Sequence, residues 1–210
     1  MSHLHFTATQ NYKKRVIQMG ESPQNVFNVG GLGVDSIKKT PLYSKSVLEK
    51  KLNIKFLKKF ILVTYHPETL KKNSSELNVK HLLKALNFMK DTTVIFTMPN
   101  SDIESLIIYR LIKKIVSKKK NYYLFKSLGQ KKYYSCCRYS DFMIGNSSSG
   151  LLEMPSFKKF SINIGDRQLG RVKAKSVINC KINTISIIKA IKYSLNPVNK
   201  LKLKKVVNPY

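Results

Sequence analysis

Residues 141–164 read DFMIGNSSSGLLEMPSFKKFSINI. An apolar run (141–144), a turn of small and hydroxylated residues (145–150), a helical stretch (148–157) and a second apolar run (160–164) follow one another almost without spacer. That order is a strand, a tight turn, a helix and a strand. Strands covered on both faces read as continuous apolar runs rather than as alternation. FILVTY (60–65) and TTVIFTM (92–98) are two more such runs, and 122–125 and 176–180 are shorter ones. Helical periods fall between them: 74–89, with Leu77, Leu82, Ala85 and Met89 near one face, a helix capped by Asp102 and running to 116, then 131–139 and finally 184–194. Strands alternating with helices predict βαβ units, and right-handed crossovers between them predict a doubly wound, Rossmann-like α/β domain with a parallel sheet over about residues 36–195.

Ahead of that region the pattern changes. Residues 2–6 suggest a short strand, 12–19 a helix that stops at Gly20, and 26–29 a second strand. Gly30-Gly31-Leu32-Gly33 then predicts a flexible or tightly turning link, and 45–52 a helix. One strand, one helix and one strand cannot bury enough surface to stand alone. The expected division is therefore 1–33, the closing piece of another Rossmann-like domain plus a linker, and 34–210, a ligand-binding domain with a C-terminal helical tail. The basic stretch LKLKKVV (201–207) reads as a solvated helix end or a frayed tail.

Composition narrows the function. Hydrophobic residues make up 42% of the 210, enough for a packed core. The formal charge of +28 suggests a polyanion partner when taken alone, yet only five of the 39 basic residues are arginine. Nucleic-acid readers lean on the planar fork of arginine, and the lysines here are spread along nearly every segment. We read the excess as solvated surface, with no specific nucleic-acid partner implied. No apolar run approaches the length of a spanning helix, and no export signal opens the chain. Cys136, Cys137 and Cys180 suit neither a disulfide framework nor a four-ligand zinc site. A reduced, cytoplasmic setting is the plain expectation, and nothing implies a metal or a nicotinamide cofactor.

In an open parallel sheet, ligands bind beyond the carboxyl ends of the strands. Four clusters follow strands here. Ser147 and Ser148, in GNSSSG, offer hydroxyls and free N–H groups to a phosphate or diphosphate, although the same letters also suit a plain serine N-cap. Glu153, one turn further on, has the reach to accept two vicinal ribose hydroxyls, or serves as a first-turn acid favoured by the helix dipole. His66 closes the strand at 60–65, where it can bond a phosphate, move a proton or simply end the strand. Asn100, in MPNSD (98–102), is a further candidate ligand contact. Arg167 and Arg171, in GDRQLGR (165–171), suggest a phosphate clamp, because this chain otherwise spends lysine freely.

GNSSSGLLEMPSFKKFSINIGDRQLGRVKAKSVINC (145–180), together with YHPET (65–69), MPNSD and SHLHF (2–6), resembles the C-terminal portion of the hydrolysing UDP-N-acetylglucosamine 2-epimerases. It is closest in type to members that feed sialic and legionaminic acid synthesis. The resemblance implies the GT-B architecture, two Rossmann-like domains around a cleft, and a UDP-sugar substrate. It implies elimination of UDP to a 2-acetamidoglucal, then hydration to N-acetylmannosamine. Carried over by motif, Asn100, Ser147, Ser148, Glu153 and Arg167 become substrate contacts. His66 becomes the residue able to take part in proton transfer, and the backbone of Leu128 a contact to uracil. The family's proton-moving carboxylates precede the SHLHF strand and have no counterpart in these residues. The resemblance therefore predicts a chain that holds UDP, depends on a separate N-terminal half or a second copy, and has little activity alone. Two rival readings remain: a GT-B glycosyltransferase-like UDP-sugar domain, which needs an acceptor, and a basic nucleic-acid-binding module, which predicts strongly salt-dependent binding.

Overall fold

The structure, a computed structural model, describes residues 2–68, 74–99 and 104–210. It opens with β1 (His5–Thr7), α1 (Gln10–Gln18) and β2 (Val26–Asn28), followed by α2 (Leu32–Lys39) and α3 (Lys45–Leu52). The larger part is β3 (Lys59–Thr64), α4 (Ser75–Leu86), β4 (Thr92–Thr97), α5 (Ser105–Val116), β5 (Tyr122–Phe125), α6 (Gly129–Tyr139), β6 (Phe142–Gly145), α7 (Ser149–Leu152), β7 (Phe160–Ile164), β8 (Val177–Cys180), α8 (Thr184–Leu195) and α9 (Pro197–Leu201).

Six of the described strands form one sheet in the order β5-β4-β3-β6-β7-β8, and every neighbouring pair is parallel. The chain winds outward from β3 through β4 to β5, then returns and winds the other way from β6. The order therefore reverses between β3 and β6. β1 and β2 pair in parallel as a separate two-stranded sheet.

Strand periodicity builds a core on each face. Ile61 and Val63 of β3, Val94 and Phe96 of β4, and Phe142 and Ile144 of β6 point to the side covered by α4, α5 and α8. Phe60 and Leu62, Ile95 and Met143 point to the other side, where Leu48 and Leu52 of α3 and Cys136 and Cys137 of α6 meet them. Successive residues of a strand face opposite ways, so an unbroken apolar run feeds both layers at once.

Three local expectations change. Gly30–Gly33 is more than a link: Gly31 is the N-cap of α2, and Gly33 lies within that helix. The helix expected over 148–157 is broken. α7 ends at Leu152, Glu153 is its C-cap, and a 3₁₀ turn Met154–Phe157 follows. Pro155 accounts for the break, because it lacks an N–H and disfavours helical geometry in the residue before it. The C-terminal stretch does not fray, since Leu203 and Val206 are buried in the core against which α8 packs. Asn100 and Asp102 lie outside the described residues.

Candidate functional site

The reversal of strand order leaves a crevice above the carboxyl ends of β3 and β6, the place where this fold takes ligands. A cavity of about 490 Å³ opens there. His66, Leu128, Ser147, Ser148, Glu153 and Arg167 all line it. These six residues come from four separate strand–loop junctions, and the sheet topology brings them together.

Asn146 joins the loops that surround the crevice. His66 donates its backbone N–H to Asn146 Oδ1 at 2.7 Å, and Asn146 Nδ2 donates to the His66 carbonyl at 2.9 Å. The Asn146 carbonyl accepts from Gln168 Nε2 at 2.8 Å and from Arg167 Nη1 at 3.3 Å. One fully buried asparagine thus ties the loops after β3, β6 and β7 together. Gly145, just before it, has φ of +145°, and a Cβ there would meet the Thr64 carbonyl oxygen at 1.8 Å. Only glycine permits that approach of β6 to β3.

Ser148 is the N-cap of α7, and Ser147 precedes it. The helix has four residues, so its dipole is slight. The groups with the chemistry to meet an anion are the Ser147 and Ser148 hydroxyls and N–H groups, with the cationic Lys126 and Arg167 on the cavity wall. Glu153 sits deeper. Its Oε2 accepts from the Ser149 hydroxyl, and Ser149 Oγ also bonds the Tyr133 hydroxyl. Burial raises the Glu153 carboxyl above its usual value, and the Ser149 hydrogen bond opposes the rise. Burial likewise lifts the Tyr133 phenol well above its ordinary range.

Leu128 is buried at the N-cap of α6, where its main chain is available to a ligand beside Lys126 and Gly129. Arg171, the second arginine of the 165–171 loop, does not join this cavity. It lines a neighbouring one of about 590 Å³ with Phe6, Tyr12, Gly31 and Tyr210, and Glu153 stands on the wall between the two. A Cβ placed on Gly33 would lie 3.7 Å from Glu153 Oε1, so α2 approaches the carboxylate closely.

Sequence reasoning missed Asn146, Ser149 and Gln168, and also Gln130, Tyr133 and Tyr134, which line the cavity from α6. Gln130 and Tyr133 stand three apart at the start of a helix that follows a strand, a spacing that marks one face. Among the described residues, no group of three His, Cys, Asp or Glu is placed to hold a metal ion. No helix among them is long and apolar enough to cross a membrane.

A family model described as UDP-N-acetylglucosamine 2-epimerase matches residues 1–210. The chain belongs to that family. It is 42% identical over 186 residues to the GDP/UDP-N,N′-diacetylbacillosamine 2-epimerase (hydrolyzing) of Campylobacter jejuni, a match that covers 88% of this chain and 48% of the relative. It is also 42% identical over 211 residues to polysialic acid biosynthesis protein P7 of Escherichia coli, covering 100% of this chain and 54% of that protein. The fold matches the crystal structure of Methanocaldococcus jannaschii UDP-GlcNAc 2-epimerase in complex with UDP-GlcNAc and UDP, with a TM-score of 0.78 at 19% identity, over 100% of this chain and 57% of that one. The chain spans about half the length of the relatives it matches.

Proposed function

We propose that this chain is the UDP-holding half of a hydrolysing UDP-sugar 2-epimerase. The observation that carries the proposal is the convergence of His66, Ser147, Ser148, Glu153 and Arg167 on one cavity at the point where strand order reverses. In this reading the diphosphate rests against Ser147, Ser148 and Arg167. The ribose hydroxyls bond Glu153, and uracil meets the main chain at Leu128. The substrate is a UDP-linked 2-acetamido sugar such as UDP-N-acetylglucosamine. The reaction breaks the bond between C1 and the diphosphate oxygen as the C2 proton leaves, and water then adds to the resulting glucal. UDP is the leaving group. Negative charge gathers on the terminal phosphate as the bond breaks, and the Arg167 guanidinium and the turn N–H groups stabilise it there. In this reading His66, which lines the same cavity, takes part in proton transfer. Asn100 is proposed as a further substrate contact.

The same reading divides the chain into residues 1–33, the closing piece of a second Rossmann-like domain, and residues 34–210, the UDP-binding domain. Its support is the small β1–β2 sheet, too slight to hold itself together, whose Phe6 and Phe27 rings stack at 5.6 Å while 66% and 41% exposed. The carboxylate base that removes the C2 proton belongs, in this proposal, to the remainder of that second domain.

Calorimetric titration with UDP tests the assignment. Saturable binding at one site is expected, weakened by about tenfold or more in Ser147→Ala and in Glu153→Ala, as loss of a hydrogen bond to a charged partner implies. Indifference to both substitutions contradicts it.

A further inference from the structure

Glu153 does not stand alone in its cavity. Three side chains run in series into the buried carboxylate: the Tyr133 hydroxyl from α6, the Ser149 hydroxyl from α7, and Glu153 Oε2. The proton order follows from the donor count. A serine hydroxyl carries one hydrogen, and Ser149 gives it to Glu153. Ser149 Oγ can then only accept, so the Tyr133 O–H is the donor.

We propose that Tyr133 and Ser149 are positioning residues that hold Glu153 in the one orientation able to bond a ribose diol, and that the preference of this site for ribonucleotides depends on them. The inference rests on the assignment of Glu153 to the ribose made above. With Oε2 held by Ser149, Oε1 lies toward α2, 3.7 Å from where a Cβ on Gly33 would stand, and Glu153 lines both cavities. A carboxylate on a flexible stem loses rotamer freedom on binding, and an anchor that has already removed this freedom leaves more of the hydrogen-bond energy for the ligand. Tyr133 is suited to anchor Ser149. Its ring lines the cavity, its phenol is withdrawn from water, and Met143 Sδ lies 3.8 Å from the hydroxyl. A carboxylate repels a diphosphate, so a chain of bonds that ends on Glu153 serves another part of the ligand.

The test compares UDP with 2′-deoxy-UDP by calorimetry on the chain and on Tyr133→Phe, Ser149→Ala and Glu153→Ala. The unaltered chain should bind UDP the more tightly. Tyr133→Phe and Ser149→Ala should each shrink that preference by about three- to tenfold while changing the affinity for 2′-deoxy-UDP by no more than about twofold, the order of one hydrogen bond's net contribution. A merely structural role would weaken both nucleotides alike and leave their ratio unchanged. If Tyr133→Phe fails to fold, Ser149→Ala carries the test. Loss of the preference in Glu153→Ala alone, with the ratio kept in the other two variants, overturns the relay and leaves the ribose assignment standing. A preference kept in all three variants overturns both.

Discussion

Asn146 and His66 exchange two hydrogen bonds across the crevice, backbone N–H to side-chain carbonyl at 2.7 Å and side-chain amide to backbone carbonyl at 2.9 Å. The side chain of one residue thus completes the main chain of the other, as a further rung of sheet would. The two neighbouring strands at the reversal point stay joined one step beyond their ladder.

This bond pair predicts a stability cost at Asn146. Asn146→Ala leaves a buried N–H and carbonyl at His66 without that partner, which costs about 2–4 kcal/mol. Urea unfolding should show the loss, and UDP affinity should fall with it because His66 and the Ser147 turn come apart.

Gly145→Ala should be worse. The added methyl would lie 1.8 Å from the Thr64 carbonyl oxygen at a φ of +145°, and neither backbone can yield without parting β3 from β6. A cost above about 3 kcal/mol is expected, read as a lowered melting temperature or as insoluble protein.

The fold was legible because its strands are apolar on both faces, so runs such as FILVTY announce themselves without alternation. Helices with a clear stripe, such as α3 and α8, were equally plain. α2 was not, because Gly31 and Gly33 argue against a helix locally, and its placement against Glu153 is decided by packing. Ser147, Ser148, Glu153 and Arg167 were legible as polar residues that follow strands. Asn146 sat in the same motif but showed no role, since its partners are 80 residues back in sequence and 22 residues ahead. Tyr133 was hidden for the same reason: its partner Ser149 stands 16 residues on, beyond β6.

Glu153 gives a pH prediction. Burial raises its carboxyl above the value it has in the unfolded chain. The folded state therefore binds the proton more tightly than the unfolded state does. The contribution to stability is fully present below the unfolded value and is lost as pH rises through the raised folded value. Glu153→Gln should remove that dependence and make the ligand-free protein more stable at neutral pH, while UDP binding weakens. Thermal melts of both proteins across a pH series from 3 to 8 (chosen to span a carboxyl's range) check this.

The three cysteines should resist alkylation. Cys136 and Cys137 are buried, and burial pushes the Cys136 and Cys180 thiols up to about 12. At neutral pH almost no thiolate is present in the folded chain. Iodoacetamide should modify all three rapidly in urea and very slowly in native buffer, as read by mass spectrometry.

The most direct measurement is a crystal structure of this chain with UDP bound. The account predicts the diphosphate within hydrogen-bond distance of Ser147, Ser148 and the Arg167 guanidinium, with both ribose hydroxyls on Glu153. UDP seated elsewhere, or lying in this cavity with its ribose turned away from Glu153, would contradict it.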